Sequence, residues 1–106
     1  MKINPAGRQG LQVAKSVLPE SKVKIVGKVD GYVEQMLRES SLDFDVLAEA
    51  YKVKDVKIAQ KDNLLLVNSG VKTTFFNLNK MKHGSELDDN IVNNIRENGE
   101  LLSILG

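Results

Sequence analysis

The sequence lacks cysteine and tryptophan entirely, and it contains a single histidine among its 106 residues. Without cysteine there is no disulfide, no thiolate nucleophile, no iron–sulfur cluster and no zinc site with thiolate ligands. Aromatic residues are also few, with three Phe and two Tyr. The core is therefore expected to be built from Leu, Val, Ile and Ala, and the missing cysteine suits a reducing compartment.

Long apolar stretches are missing as well, because no run approaches the roughly 18 residues that a membrane span needs. Lys2, Arg8 and Lys15 interrupt the apolar positions of the first twenty residues. A signal peptide needs an uninterrupted apolar centre, which these residues do not provide. The sequence thus predicts a cytoplasmic protein that makes no contact with a membrane.

The composition that is present is that of one ordinary globular domain covering residues 1–106, with 42% hydrophobic and 27% charged residues. The net charge of +1 conceals a segregation along the chain. Residues 1–29 carry six basic and one acidic residue, and residues 51–83 carry seven and two. Residues 30–50 carry one basic and six acidic residues, and residues 84–106 carry one and five. Basic and acidic segments therefore alternate.

Apolar spacing predicts an α+β fold in the order α-β-α-α-β-β-β-α. The first helix is expected from Pro5 to Leu18, because Pro19 prevents its extension. Two short helices are expected between Tyr32 and Tyr51, separated at Ser40 and Ser41, with Val46, Leu47, Ala50 and Tyr51 facing inward.

The last helix is expected to begin at Ser85, with Asp88 completing a capping box. Leu87, Ile91, Val92 and Ile95 form its apolar stripe. Gly99 is expected to end it, because glycine is the common residue just beyond a helix.

The strands are predicted as an antiparallel sheet of three or four members. A meander is expected over residues 53–78, with turns at residues 61–63 and 68–70, and an extra strand over residues 22–28. Residues 64–67 are apolar at every position, which is typical of a central strand that is covered on both faces. Phe75 and Phe76 are adjacent and are expected to face opposite sides.

The lysine-rich middle of the chain is the strongest chemical signal. A basic sheet face with a few aromatic residues suits contact with a nucleic-acid backbone. The simpler interpretation is that the acidic helices complement the basic strands within the fold. The candidate nucleic-acid contacts are Lys52, Lys54, Lys57, Lys72, Lys80 and Lys82.

A catalytic role would depend on His83, the only side chain whose ordinary pKa lies near neutrality. The order of elements resembles that of compact ribonuclease toxins, and this analogy would make Lys72, Thr73, Lys80 and His83 a catalytic group that needs no metal. His83 equally suits a polar loop before a helix. Glu86, Asp88 and Asp89 are explained by the dipole of the last helix, so neither a metal nor another cofactor is expected.

The leading hypothesis is a non-enzymatic interaction module, such as an accessory, regulatory or phage-type assembly protein. It would bind a protein partner, or a second copy of itself, through a sheet edge or an apolar tail. The tail is expected to follow Gly99, and its four apolar residues would be costly to leave in water. These residues are Leu101, Leu102, Ile104 and Leu105.

Overall fold

The structure is a computed structural model that describes residues 14–106. It contains five strands, two α-helices and one short 3-10 helix, which confirms the α+β class. The elements are β1 (Ala14–Ser16), β2 (Val23–Val26), α1 (Gly31–Ala50), β3 (Val56–Lys61), β4 (Leu64–Asn68), β5 (Thr73–Asn77), the 3-10 helix (Leu78–Lys80) and α2 (Gly84–Leu105). The predicted order is therefore confirmed only in part.

The strands form one mixed sheet in the order β1-β2-β3-β4-β5. The predicted meander is present as the antiparallel strands β3, β4 and β5. The extra strand is also present, but β2 pairs with β3 in parallel, with Val23 opposite Val56. Because α1 carries the chain back to the end of the sheet from which β2 started, the two strands run in the same direction. The prediction of a wholly antiparallel sheet was wrong for this reason.

The predicted first helix, Pro5 to Leu18, falls largely on residues 1–13, which lie outside the described residues. Its last part was wrong, because Ala14–Ser16 is strand β1 and pairs antiparallel with β2. The backbone NH of Val17 continues this hairpin by donating to the Val23 carbonyl at 3.0 Å. Pairing with a neighbouring strand here outweighs a weak local preference for helix.

Helix α1 is continuous, where the sequence predicted two helices. The two serines that were expected to interrupt it use their hydroxyls within the fold. Ser41 is buried and donates to the Arg38 carbonyl at 3.0 Å, and Ser40 donates to Asp88 on α2 at 3.0 Å. Their side chains thus find partners without breaking the helix.

Continuity of α1 changes which residues face inward. Its buried positions are Val33, Leu37, Ser41, Phe44 and Ala48. Val46 and Ala50, expected to face inward, are exposed, while Leu47 and Tyr51 are partly buried. A separate helix that began at Ser41 could present a different set of residues to the core. One continuous helix keeps the same buried stripe along its whole length.

The N-cap of helix α2 lies two residues before the expected position, and the helix ends six residues later than expected. His83 is its N-cap, and the Glu86 carboxylate accepts the backbone NH of His83 at 3.1 Å. Glu86 therefore fills the position expected for Asp88, two residues earlier, as His83 fills that expected for Ser85. The helix continues through Gly99 to Leu105, so Gly99 does not end it.

The two helices lie side by side and run in the same direction. Three neighbouring pairs, each separated by 48 positions in sequence, show this: Met36 with Gly84, Ser40 with Asp88, and Tyr51 with Gly99. The core is aliphatic apart from Phe44. Leu87, Ile91 and Ile95 of α2 are buried in it, as the sequence predicted. Both helices therefore cover the same face of the sheet.

The charged form of Asp88 is disfavoured by the position of this residue between the helices. Partial burial raises the pKa of its carboxyl; Ser40 opposes this shift, and Asp89, Asp43 and Glu39 add to it. A folded-state pKa above the unfolded value means that the contribution of this carboxyl to stability is fully present at low pH and is lost as the pH rises.

We therefore expect Asp88→Asn to stabilise the protein slightly at pH 7, because the amide oxygen still accepts from Ser40 and carries no charge. The advantage over the wild type should shrink as the pH falls towards the ordinary pKa of aspartate. Urea denaturation at several pH values measures this difference. An advantage that stays constant from pH 7 to pH 3 would contradict the assignment.

Candidate binding surfaces

The sheet has a second face, opposite the helices, on which no element of the described residues packs. Val56, Ile58, Leu65 and Val67 point towards the helices and are fully buried. Side chains alternate along a strand, so the residues between them point away. We call this side the open face.

A row of apolar side chains crosses the centre of the open face. Ala59 lies opposite Leu66, and Leu66 lies opposite Phe75. Phe75 is 62% exposed and Leu64, on the same face, is 43% exposed. The expected covering of residues 64–67 on both sides was thus wrong, because both helices lie on one side. The opposite orientations of Phe75 and Phe76 are confirmed, since Phe76 packs against the core.

The charge around this row is of one sign. The five strands contain four lysines and no Asp or Glu. Lys24, Lys57 and Lys61 share the open face by alternation, and Lys24 lies directly opposite Lys57. Like charges in this position repel. Asp55 offsets part of the repulsion through an ion pair with Lys24 at 2.8 Å.

A basic cleft adjoins the open face where β3 begins and β4 ends. It has a volume of about 400 Å³, and its lining includes Lys52, Lys54, Lys57 and Leu102 together with one carboxylate, that of Asp55, which pairs with Lys24. None of the three lysines forms an ion pair with another described residue. The structure therefore brings together three of the six lysines predicted to contact nucleic acid.

The other three predicted lysines lie elsewhere. Lys72, in the loop between β4 and β5, forms an ion pair with Glu97 of α2 at 3.0 Å. Lys80 and Lys82 follow β5 at the opposite end of the sheet from the basic cleft. The six lysines thus form no single patch.

The residues of the ribonuclease hypothesis are also divided between the two ends of β5. Lys72 and Thr73 precede or begin the strand, and Lys80 and His83 follow it. The four strand residues after Thr73, at about 3.4 Å each, separate the two groups. His83 is exposed and caps α2. The structure therefore does not bring these four side chains to one centre.

The predicted apolar tail is the last turn and a half of α2. Leu101 and Leu102 are partly buried, and Leu102 lies against Gly70. Ile104 and Leu105 are 79% and 71% exposed. Only the end of the tail thus offers a free apolar surface.

The outer side of α1 carries a second apolar feature, flanked by acid. Leu42 and Val46 are 72% and 70% exposed and lie one helical turn apart. Glu39, Asp43 and Glu49 are exposed around them. We call these five residues the acidic ridge. It lies on the surface of α1 that faces away from the core, and its end at Val46 and Glu49 adjoins Lys22, which precedes β2.

Some lysines of the basic segments form ion pairs with acidic residues within the fold. Lys22 pairs with Glu49 at 3.4 Å, and Lys72 pairs with Glu97 at 3.0 Å. Each pair joins a basic segment of the sequence to an acidic one. Both are largely exposed and contribute little stability. Internal complementarity therefore accounts for some lysines but leaves those of the basic cleft unpaired.

Sequence reasoning missed Leu42, Val46 and the row centred on Leu66. The signal for the acidic ridge was present: in an unbroken helix, positions 42 and 46 lie opposite positions 37, 44 and 48. The row on the open face had no comparable signal, because an all-apolar strand does not reveal which of its faces is covered.

Comparison of the chain with protein-family models, with curated proteins and with solved structures found no match. No helix among residues 14–106 is long and apolar enough to cross a membrane. Within the same residues, no three acidic or histidine side chains gather as a metal site would require.

Proposed function

We propose that this protein is a non-enzymatic binding module whose open face docks an acidic, amphipathic segment of a protein partner. The observation that supports this proposal is the row of Ala59, Leu66 and Phe75, which no element of residues 14–106 covers. Lysines lie around it, and none of the five described strands contains a carboxylate. An apolar centre with a polar margin is the usual anatomy of a protein interface.

Phe75 is the expected anchor of this surface. Covering a large apolar side chain contributes about 1.5–3 kcal/mol, and the exposed Leu64 extends the apolar area beside it. Lys57 and Lys61 would attract acidic residues of the partner and discourage basic partners. The apolar row would therefore supply affinity, and the lysines would select the charge of the segment.

Nucleic-acid binding is the second candidate, and the basic cleft favours it. Lys52, Lys54 and Lys57 could hold a phosphate, since no described carboxylate pairs with them. Among residues 14–106, however, Phe75 is the only aromatic side chain on the open face, and no arginine lies on the open face or in the basic cleft. Base stacking generally uses several aromatic or arginine side chains, so the protein partner is better supported.

A titration followed by NMR tests both candidates. The probes are an amphipathic helical peptide of Leu and Glu, its analogue with Lys in place of Glu, and an oligouridine. We expect the acidic peptide to shift the amide signals of β3, β4 and β5, and the basic analogue to leave them unchanged. Shifts produced by oligouridine around the basic cleft, weakening steeply with salt, would favour the second candidate.

Phe75→Ser is expected to weaken binding of the acidic peptide at least tenfold, because the anchor is lost. The matched control is Tyr32→Ser, which removes an aromatic side chain of similar exposure (48%) from α1, away from the open face. It should bind as the wild type does. Equal binding by Phe75→Ser, or no response to the acidic peptide at all, would overturn the proposal.

A further inference from the structure

We propose that the open face accepts the acidic ridge of a second copy of this chain, so that the protein assembles head to tail. This inference rests on the proposed function of the open face and names its occupant. Leu42 and Val46 of one copy would lie on the row of Ala59, Leu66 and Phe75 of the next. Both apolar surfaces, which no other described residue of the same chain covers, would then be buried in the contact.

The charges of the two surfaces select this arrangement over others. The segment from Asp30 to Ala50 contains six acidic residues and one basic residue, and the strands contain only lysines among charged residues. Two open faces placed together would oppose Lys57 and Lys61 to the same lysines. Two acidic ridges placed together would oppose carboxylates. Only a ridge on an open face pairs unlike charges.

The position of the two surfaces makes the assembly open-ended. The two surfaces share no residue, because the open face belongs to the strands and the acidic ridge to the outer surface of α1, which packs on the other face of the sheet. Each copy that docks its ridge therefore still presents its own open face to another. A heterologous contact of this kind continues as a chain unless its rotation closes a ring.

The dimensions indicate a weak contact. Helix α1 has 20 residues, which corresponds to about 30 Å of helix, and five strands span about 20–24 Å of sheet. One helix laid on one sheet face lies at the low end of specific interface sizes. We therefore expect association that depends on concentration and falls at high salt, since part of it comes from exposed charges.

The experiment uses the full chain and two variants in sedimentation velocity from about 1 µM to about 1 mM. Val46→Lys alters the ridge and leaves the open face intact, whereas Phe75→Ser does the reverse. Both residues are largely exposed, so both variants should unfold at nearly the wild-type temperature, which circular dichroism checks. Wild-type protein should show an average mass that rises beyond that of a dimer.

Each variant alone should remain a monomer, because one half of the contact is missing. An equimolar mixture should form dimers and nothing larger, since the open face of the Val46→Lys protein can still accept the ridge of the Phe75→Ser protein. A monomeric wild type at all concentrations would overturn the inference. Self-association of Val46→Lys alone, or a mixture without dimers, would overturn it as well.

The two proposals can fail separately. If the wild type stays monomeric while the acidic peptide still shifts the signals of the open face, the docking surface stands and its occupant is a different protein. If neither the peptide nor a second copy binds, both proposals are wrong.

Discussion

Asn98→Ala is expected to lower the free energy of unfolding by about 3 kcal/mol, a large fraction of the stability of a small domain. Asn98 is fully buried on α2. Its side-chain oxygen accepts the backbone NH groups of Val71 and Lys72 at 2.7 and 2.6 Å, and its amide donates to the Lys72 carbonyl at 3.0 Å. Alanine would leave these groups of the β4–β5 loop without their partner.

A second buried asparagine, Asn94, belongs to the same hydrogen-bond network and adds to the expected loss of stability. Asn94 accepts a hydrogen bond from the buried Ser69 at 2.6 Å and donates to the Val67 carbonyl at 3.0 Å. The Asn98 amide also donates to Asn94, at 2.8 Å to its backbone oxygen and 3.0 Å to its side-chain oxygen. The two asparagines thus fasten the loop between β4 and β5 to α2 as one network.

Urea denaturation of Asn98→Ala and of Asn93→Ala measures the effect. Asn93 is an exposed asparagine of the same helix, so its replacement controls for helix propensity and should change stability by less than about 0.5 kcal/mol. Similar free energies of unfolding for the two variants would show that Asn98 contributes no more to stability than a surface asparagine does.

Gly99→Ala is the second large effect, with an expected loss of about 1–3 kcal/mol. A Cβ at this position would lie 2.6 Å from the Cβ and 2.8 Å from the Cδ1 of Tyr51. The Tyr51 Cβ cannot rotate away, because it is attached directly to the backbone. The clash therefore outweighs the gain of about 1 kcal/mol that alanine brings to a helix interior.

The cause can be isolated with a double variant. Tyr51→Gly removes the contacting atoms, and in that background Gly99→Ala should become neutral or stabilising in thermal unfolding. Gly31→Ala is the matched control, because a Cβ there meets nothing within 4 Å. An equal cost of Gly99→Ala in both backgrounds would assign the role of this glycine to something other than the approach of Tyr51.

Local patterns were sufficient for much of the fold. The turn residues around Asp62 and Gly70 predicted the meander, and both have positive φ angles, 54° and 133°. The spacing of Leu87, Ile91 and Ile95 predicted the buried stripe of α2. These features depend on residues close in sequence, where turn chemistry and helical period determine the outcome.

Other features depended on residues distant in sequence. Ser40 suggested a helix break, yet Asp88, 48 residues away, accepts its hydroxyl. Gly99 suggested a helix end, yet it makes room for Tyr51. Serine and glycine have roles both inside and at the ends of helices, and only the neighbouring helix decides between them.

The candidate surfaces were predicted less well than the fold. The sequence indicated that Phe75 and Phe76 separate to two faces, but not which face the helices cover. It grouped six lysines by proximity in sequence, and three of them lie near the open face or the basic cleft. Where a surface remains uncovered depends on the placement of both helices, which no local pattern encodes.

The parallel pairing of β2 with β3 joins two parts of the sheet that are far apart in sequence. Strands β1 and β2 form one hairpin, and β3 to β5 form another unit with short turns, whereas β2 meets β3 only after the whole of α1. Closing that long connection costs more chain entropy than closing a turn. We expect amide hydrogen exchange to find β1 and β2 opening before β4, so that the domain begins to unfold from its N-terminal edge.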